Sequence, residues 1–184
     1  MKQLHKIVVT LIALILISLQ TTYAQEDYYS GYNTIKGVEI EYSIIHDDYG
    51  GVFFENVRNT LMDQPIIWNN TGERAIPETM PFAERDEKKI REIIQKVFTR
   101  KEIKKYRKSQ NIAEIGVIID PMTGRSIEVA FTLTNLKEYD DPILFSIPIQ
   151  KFELLEILIK QELLWEVAPE AEKASHIGHG FFLF

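Results

Sequence analysis

The last third of the chain contains two β-rich runs joined by residues that specify a tight turn. The runs are Ile112 to Ile119 and Ser126 to Thr134, and the segment Asp120 to Gly124 separates them. That segment has Asp at the first turn position, Pro at the next and a glycine that is free to take a positive φ. The pattern therefore predicts a β-hairpin whose type I turn ends in a left-handed glycine.

A helix and a final strand are predicted after this hairpin. Pro148 fits the first turn of a helix, and apolar residues then recur at helical spacing through Leu163. On this helix Glu153, Glu156 and Lys160 are expected on the solvent side. Gly178 to Phe184 is expected to close the chain as a strand. Strand, strand, helix and strand make a ββαβ unit, which predicts an α+β fold with helices packed on an antiparallel sheet.

The chain before the hairpin divides into two sections. Residues 25–82 are rich in strands and turns, because residues 38–44 alternate between apolar and polar and Val52 to Phe54 suit a partner strand. Residues 83–108 form a basic helical segment, in which Thr99 and Glu102 have the spacing of a capping box that starts a second helix. With residues 109–184, we expect these sections to form a single α+β domain over residues 25–184.

The N-terminal residues 1–24 have the order of a secretory signal peptide. A basic start precedes the apolar run Ile7 to Leu19, and Thr22 and Ala24 supply small residues before a cut between Ala24 and Gln25. An uncleaved anchor is the alternative, although a spanning helix needs about 20 apolar residues. The chain has no cysteine, which excludes a lipid-anchored lipoprotein. We therefore expect a secreted or periplasmic protein with at most peripheral membrane contact.

Charge is unevenly distributed along the chain. Residues 25–184 carry 19 basic and 27 acidic residues, a net charge of −8, and this acidity argues against nucleic acid as a partner. Residues 84–108 nevertheless carry a net charge of +6. Two interpretations stay open: a solvated helix face that meets the protein's own acids, or a site for an anionic partner such as a lipid headgroup. The candidate anion-binding residues are Arg100, Lys101, Lys104, Lys105, Arg107 and Lys108.

Histidines are the main candidates for chemistry. His176 and His179 lie three positions apart, and His46 is followed by two aspartates. If these segments met, they could form a hydrolytic or metal-dependent site. None of them, however, stands in a helical metal motif or beside a nucleophile-elbow serine. No catalytic residue, metal or cofactor is therefore assigned, and an enzyme using these histidines stays an alternative.

The segment from Ile112 to the C-terminus resembles a known domain in its order of elements. The hairpin, with Gly124 in its turn, is followed by an amphipathic helix, the residues Trp165 to Pro169, a polar stretch and a final apolar strand. These features are similar to those of the C-terminal domain of TonB-type periplasmic proteins. The whole chain also resembles the small secreted proteins of unknown function that are common in Bacteroidetes, in which an Ala-Gln cut after the signal is frequent.

The TonB resemblance implies a function in binding. In TonB the last strand of this domain pairs with short peptides of outer-membrane transporters, but this chain has no proline-rich spacer. The resemblance therefore implies a ββαβ sheet with a pairing edge rather than energy transduction. We expect an exported, non-catalytic domain that binds another protein or peptide at a sheet edge. The candidate residues are Phe182 and Phe184, with Ser126 to Leu133 as the alternative edge.

Overall fold

A computed structural model of the chain describes residue 29 and residues 31–48, 50–76, 80–109, 111–134 and 142–184. The predicted signal peptide and its cleavage site, Ala24 and Gln25, lie outside these residues. In the described ranges, no helix combines the length and the apolar character needed to cross a bilayer.

The described residues form an α+β fold of strands and helices, as the sequence predicts. The strands are β1 Thr34–Lys36, β2 Glu41–His46, β3 Val52–Asn56, β4 Ala83–Arg85, β5 Ile112–Asp120, β6 Arg125–Thr134, β7 Trp165–Val167 and β8 Ile177–Phe182. The α-helices are α1 Glu87–Val97, α2 Arg100–Tyr106 and α3 Ile149–Glu162. Short 3₁₀ helices at Pro142–Ser146 and Pro169–Lys173 flank α3 and β7.

Six of the strands form one antiparallel sheet in the order β1-β2-β3-β6-β5-β8. Strand β3 pairs with β6, so the N-terminal strands and the C-terminal hairpin belong to the same sheet. Strands β4 and β7 pair separately as a two-stranded sheet. The sequence did not predict β7 as a separate strand, and the ββαβ unit consequently consists of β5, β6, α3 and β8 with β7 inserted before the last strand.

The turns and caps of the structure agree with several local predictions. Gly124 has a φ of 64° at the end of the β5–β6 turn, and a Cβ there would collide with the carbonyl oxygen of Trp165. Thr99 and Glu102 form the predicted capping box at the start of α2. The helical segment starts later than predicted, because residues 83–85 are strand β4 and the side chain of Asp86 caps α1.

The core lies on one face of the main sheet, beneath α1 and α3. The ring of Phe152 on α3 lies 4.9 Å from that of Phe54 on β3 and 5.0 Å from that of Phe131 on β6. Ile93 on α1 and Leu155 on α3 are buried in the same cluster. Each fully buried side chain of this size stabilises the fold by about 1.5–3 kcal/mol, so this face anchors both helices.

Two glutamates of α3 are buried, although the sequence predicts them on the solvent side. Glu153 is 3% exposed and Glu156 is 0% exposed. The carboxylate of Glu153 accepts hydrogen bonds from the backbone N–H groups of residues 38, 39 and 40, at 2.5, 2.7 and 2.9 Å. Burial alone would raise the pKa of Glu153, but these three donors outweigh it and the pKa lies below its ordinary value. Hydrogen bonding to the charged form therefore makes this burial tolerable.

The contact with Glu153 also corrects the start of a predicted strand. The alternating pattern from Val38 predicts strand structure there, but β2 begins at Glu41. The backbone of Val38 to Ile40 instead turns around the Glu153 carboxylate. A Cβ on Gly37 would collide with that carboxylate, which explains the glycine at this position.

Candidate functional site

A cleft opens between α1 and α2 and is lined by cationic side chains. Its volume is about 510 Å³. Ile94 and Ile103 supply its apolar surface, and Gln95 adds an amide. We call this site the cationic cleft, and its charged residues are Arg91, Arg100, Lys104, Arg107 and Lys108.

The cleft follows from the break between the two helices. Helix α1 ends at Val97, and after Phe98 the capping box of Thr99 starts α2 at once. The rings of Phe98 and Tyr106 pack 5.9 Å apart and hold α2 against the body. Because residues four apart lie on one face of a helix, Arg100 and Lys104 lie on one face of α2. Lys108, in the turn that follows α2, extends this stripe along the cleft.

The five cations of the cleft have no carboxylate partner among the described residues. The ion pairs that do form nearby use other side chains: Lys89 and Lys96 both bind Glu162, at 2.8 and 2.6 Å, and Lys151 binds Glu102 at 2.5 Å. The hydrogen bond from Lys151 is the main cause that lowers the pKa of Glu102 to about 2. Glu162 and Glu102 are therefore engaged by lysines outside the cleft, and the cleft retains its positive charge.

Four of the six predicted anion-binding residues line the cleft, namely Arg100, Lys104, Arg107 and Lys108. Lys101 and Lys105 are exposed and do not line it. Sequence reasoning missed Arg91 and Gln95, which α1 contributes to the opposite wall. Their i, i+4 spacing places both on one face of α1, but it does not show that this face meets α2.

Strand β8 lies at one end of the main sheet, as an edge strand. The N–H of Leu183 bonds to the carbonyl of Ala113 at 2.8 Å. Because hydrogen bonding alternates along an antiparallel pair, the backbone groups of Gly178, Gly180 and Phe182 point away from β5. Of these groups, the carbonyl of Gly180 accepts a hydrogen bond of 3.4 Å from Arg85, and His179 Nδ1 lies 3.0 Å from the same oxygen.

The two aromatic candidates of the final strand lie in different surroundings. Phe182 is 67% exposed. Phe184 is half-buried, and its ring lies 5.2 Å from that of Phe98 and 5.0 Å from that of Tyr106. A partner at the β8 edge would therefore contact Phe182, while Phe184 fixes the C-terminus to the helices.

The alternative edge, Ser126 to Leu133, lies in the interior of the sheet. Residues 130–133 of β6 pair with β3 on one side, and β5 pairs along the other side. Farther along β6, the carboxylate of Glu128 accepts the N–H groups of Thr60 and Leu61, at 2.6 and 2.9 Å. Because residues 130–133 of β6 are paired on both sides, this part of the strand does not offer an edge.

The three histidines do not form one site. His46 is exposed at the end of β2, and four strand spacings separate β2 from β8, a distance of about 19 Å. His176 is buried, with Nδ1 3.0 Å from Ser175 Oγ. The ring of His179 lies 4.8 Å from that of Trp165 at an angle of 40°, and burial is the main cause that lowers the pKa of His179. No group of three potential metal ligands occurs in the described part of the chain.

Comparisons with known proteins show a similarity in structure but not in sequence. No protein-family model matches the chain, and no curated protein matches it. The crystal structure of a DUF5043 family protein from Bacteroides uniformis ATCC 8492 is similar over 84% of this chain and 86% of that chain, with a TM-score of 0.69 and 19% sequence identity. The α+β fold described here is thus shared with a protein from a domain-of-unknown-function family of a Bacteroides species.

Proposed function

We propose that this protein is an exported, non-catalytic domain that binds an anionic ligand in the cationic cleft. One observation carries the proposal: five cationic side chains converge on a concave surface without a carboxylate partner among the described residues. Like charges held together repel one another, and a bound anion relieves that repulsion. Arginine also presents a planar fork of N–H donors that matches carboxylate, phosphate and sulfate oxygens.

Charge reversal on α2 and the turn that follows it tests the proposal with a matched control. The cleft variant is Lys104→Glu/Lys108→Glu, and the control is Lys101→Glu/Lys105→Glu. Both variants change the net charge equally, so general electrostatic attraction changes by a similar amount. The measurement is calorimetric binding of tripolyphosphate at low ionic strength, where surface charges are weakly screened.

The two variants should differ clearly in affinity. We expect the cleft variant to bind at least about tenfold more weakly, while the control stays within about threefold of the unmodified protein. All four lysines are exposed, so urea unfolding midpoints should stay close to that of the unmodified protein. Equal losses of affinity in both variants would show that tripolyphosphate binding depends only on overall charge. The cleft would then not be the binding site.

The β8 edge supports a second candidate, the binding of a protein or peptide by strand addition. Its supporting observation is the outward-facing backbone of Gly178, Gly180 and Phe182, with the Phe182 ring 67% exposed. Main-chain hydrogen bonds supply affinity in this mode of binding. The resemblance to the TonB C-terminal domain, whose last strand pairs with peptides, supports the same candidate. Arg85 and the His179 side chain would have to release the Gly180 carbonyl when a peptide pairs along the full edge.

Amide hydrogen exchange tests the edge directly. Peptides are first selected on the immobilised protein from a library of extended heptapeptides. Exchange at Gly178, Gly180 and Phe182 should then slow by about tenfold or more when a selected peptide is added. His179 and Phe181, which already bond to β5, serve as internal controls. Protection confined to α1 and α2 would remove the edge as a binding site.

A further inference from the structure

The cationic cleft is longer than a single oxyanion can use. Helices rise 1.5 Å per residue, so Arg100 and Lys104 lie about 6 Å apart along α2, and Lys108 extends the stripe beyond the end of the helix. Arg91 on α1 adds a positive group on the opposite wall. A lone phosphate or sulfate would reach only neighbouring members of this set and leave the others unneutralised.

We propose that the ligand of the cleft is a soluble, chain-like oligoanion that carries phosphate or sulfate groups along a linear backbone. This inference rests on the proposed anion-binding function and makes it more specific. Three arginines lie among the five cations of the cleft, and their fork of donors matches the oxygen geometry of phosphate and sulfate. Repeated oxyanions along a chain engage the stripe and the Arg91 wall together.

The apolar part of the cleft fits the backbone of such a chain. Ile94 is buried and Ile103 is half-buried, so both lie at the floor while the charged groups are exposed. The uncharged segments between oxyanions can lie over these side chains. Gln95 can hydrogen bond to an ester or bridging oxygen, which carries little charge.

The lining argues against two other polyanions. Single-stranded nucleic acids are bound by stacking on aromatic side chains, and no aromatic residue lines the cleft. Lipid membranes are bound by apolar side chains that project into the bilayer, whereas Ile94 and Ile103 lie at the floor of a concave site. Outside residues 84–108, residues 25–184 carry a net charge of −14, which repels any extended polyanionic surface.

A series of ligands of increasing length tests this inference on the full-length protein. One arm compares orthophosphate, tripolyphosphate and long-chain polyphosphate, and the other compares inorganic sulfate with sulfated oligosaccharides of increasing length. Affinity should rise by about tenfold or more from the single ion to the chain-like ligand in at least one arm. The longer ligands should also show a steeper fall in affinity with salt, because each additional ion pair releases counterions.

The outcomes distinguish the inference from the proposed function. A rise in one arm alone identifies phosphate or sulfate chains as the ligand class, and a rise in both supports the shared chemistry. Orthophosphate or sulfate binding as tightly as the chains would overturn this inference and leave the anion-binding function standing. Absence of binding in both arms would overturn both. Tighter binding of single-stranded DNA or of phosphatidylglycerol vesicles would also overturn the inference.

The variants Arg91→Gln and Lys105→Gln control for the location of binding. Loss of Arg91 should weaken the chain-like ligand more than the single ion, because only a long ligand reaches both walls. Loss of Lys105, which lies outside the cleft, should change neither affinity by more than about twofold. Equal effects of the two variants on the chain-like ligand would contradict the two-wall geometry.

Discussion

The hydroxyl of Tyr42 donates a hydrogen bond of 2.7 Å to Glu156 and so joins strand β2 to the middle of α3. Both residues are fully buried. Glu156 also accepts hydrogen bonds from Asn56 Nδ2 at 3.1 Å and Lys160 Nζ at 2.7 Å. Burial, followed by the charge of Glu156, raises the pKa of Tyr42 far above its ordinary value, so the phenol stays a donor. The buried charge is therefore held by donors from two strands and its own helix.

Removing the Tyr42 hydroxyl should destabilise the fold more than removing a neutral hydrogen bond. We expect Tyr42→Phe to lower the free energy of unfolding by about 1.5–3 kcal/mol, because a hydrogen bond to a charged group is lost. Tyr29→Phe is the matched control, since the Tyr29 hydroxyl donates to the neutral carbonyl of Ile147 at 2.6 Å. That variant should cost about 1 kcal/mol. Urea unfolding at neutral pH measures both, and equal costs would contradict this account of Glu156.

The Glu102–Lys151 ion pair should make stability depend on pH in the acid range. The pKa of Glu102 is lowered from 4.5 to about 2 in the folded protein, so the unfolded chain binds the proton first. The pair therefore contributes its full stability above about pH 4.5 and loses it as the pH falls towards the folded value. Lys151→Met should reduce this loss.

Urea midpoints between pH 2 and pH 6 measure the effect of the pair. Lys104→Met is the control, because Lys104 has no carboxylate partner among the described residues. The urea midpoint of this control should fall with decreasing pH as steeply as that of the unmodified protein. If the urea midpoint of Lys151→Met falls as steeply with decreasing pH as that of the unmodified protein, the pair does not hold Glu102 in its charged form.

Truncation to alanine should destabilise the fold at Phe184 and have little effect on stability at Phe182. Phe184→Ala removes ring contacts with Phe98 and Tyr106 and should cost about 2 kcal/mol, less than truncation of a fully buried phenylalanine. Phe182→Ala, at an exposed site, should change stability by less than about 0.5 kcal/mol. Thermal unfolding of the two variants gives the comparison. A larger cost for Phe182 would mean that its ring is covered in solution.

Arg91 should matter for anion binding as much as the predicted residues of α2 do. Arg91→Gln and Arg107→Gln each remove one guanidinium group from the cleft, and each should weaken tripolyphosphate binding by about five- to tenfold. Lys101→Gln removes a charge outside the cleft and should have a much smaller effect. If Arg91→Gln matches Lys101→Gln instead, α1 takes no part in binding.

Features set by neighbouring residues were predictable from the sequence. The turn that ends at Gly124 and the capping box of Thr99 and Glu102 depend on contacts within three or four positions, and both were predicted correctly. The hairpin of β5 and β6 followed from the same local signals. The helical prediction around residue 84 failed because β4 is held by β7, a partner far along the chain.

Features set by distant partners were not predictable. Glu153 and Glu156 look like solvent residues on a helix, and their burial depends on donors that lie 100 or more positions away. The cleft was partly predictable, since the charge of α2 is visible in the sequence. Its second wall was not, because no local pattern shows that Arg91 faces α2.

Strands β1 to β3 are synthesised first, yet the groups that hold them lie near the other end of the chain. The backbone of Val38 bonds to a carboxylate 115 positions later, and Tyr42 bonds to one 114 positions later. Strand β3 likewise has no neighbour in the sheet beyond β2 until β6 exists. A growing polypeptide therefore displays Phe54 and an open strand to its surroundings for most of its synthesis. Strands β1 to β3 therefore cannot complete their packing until α3 has been made, and any factor that shields them has to stay bound until then.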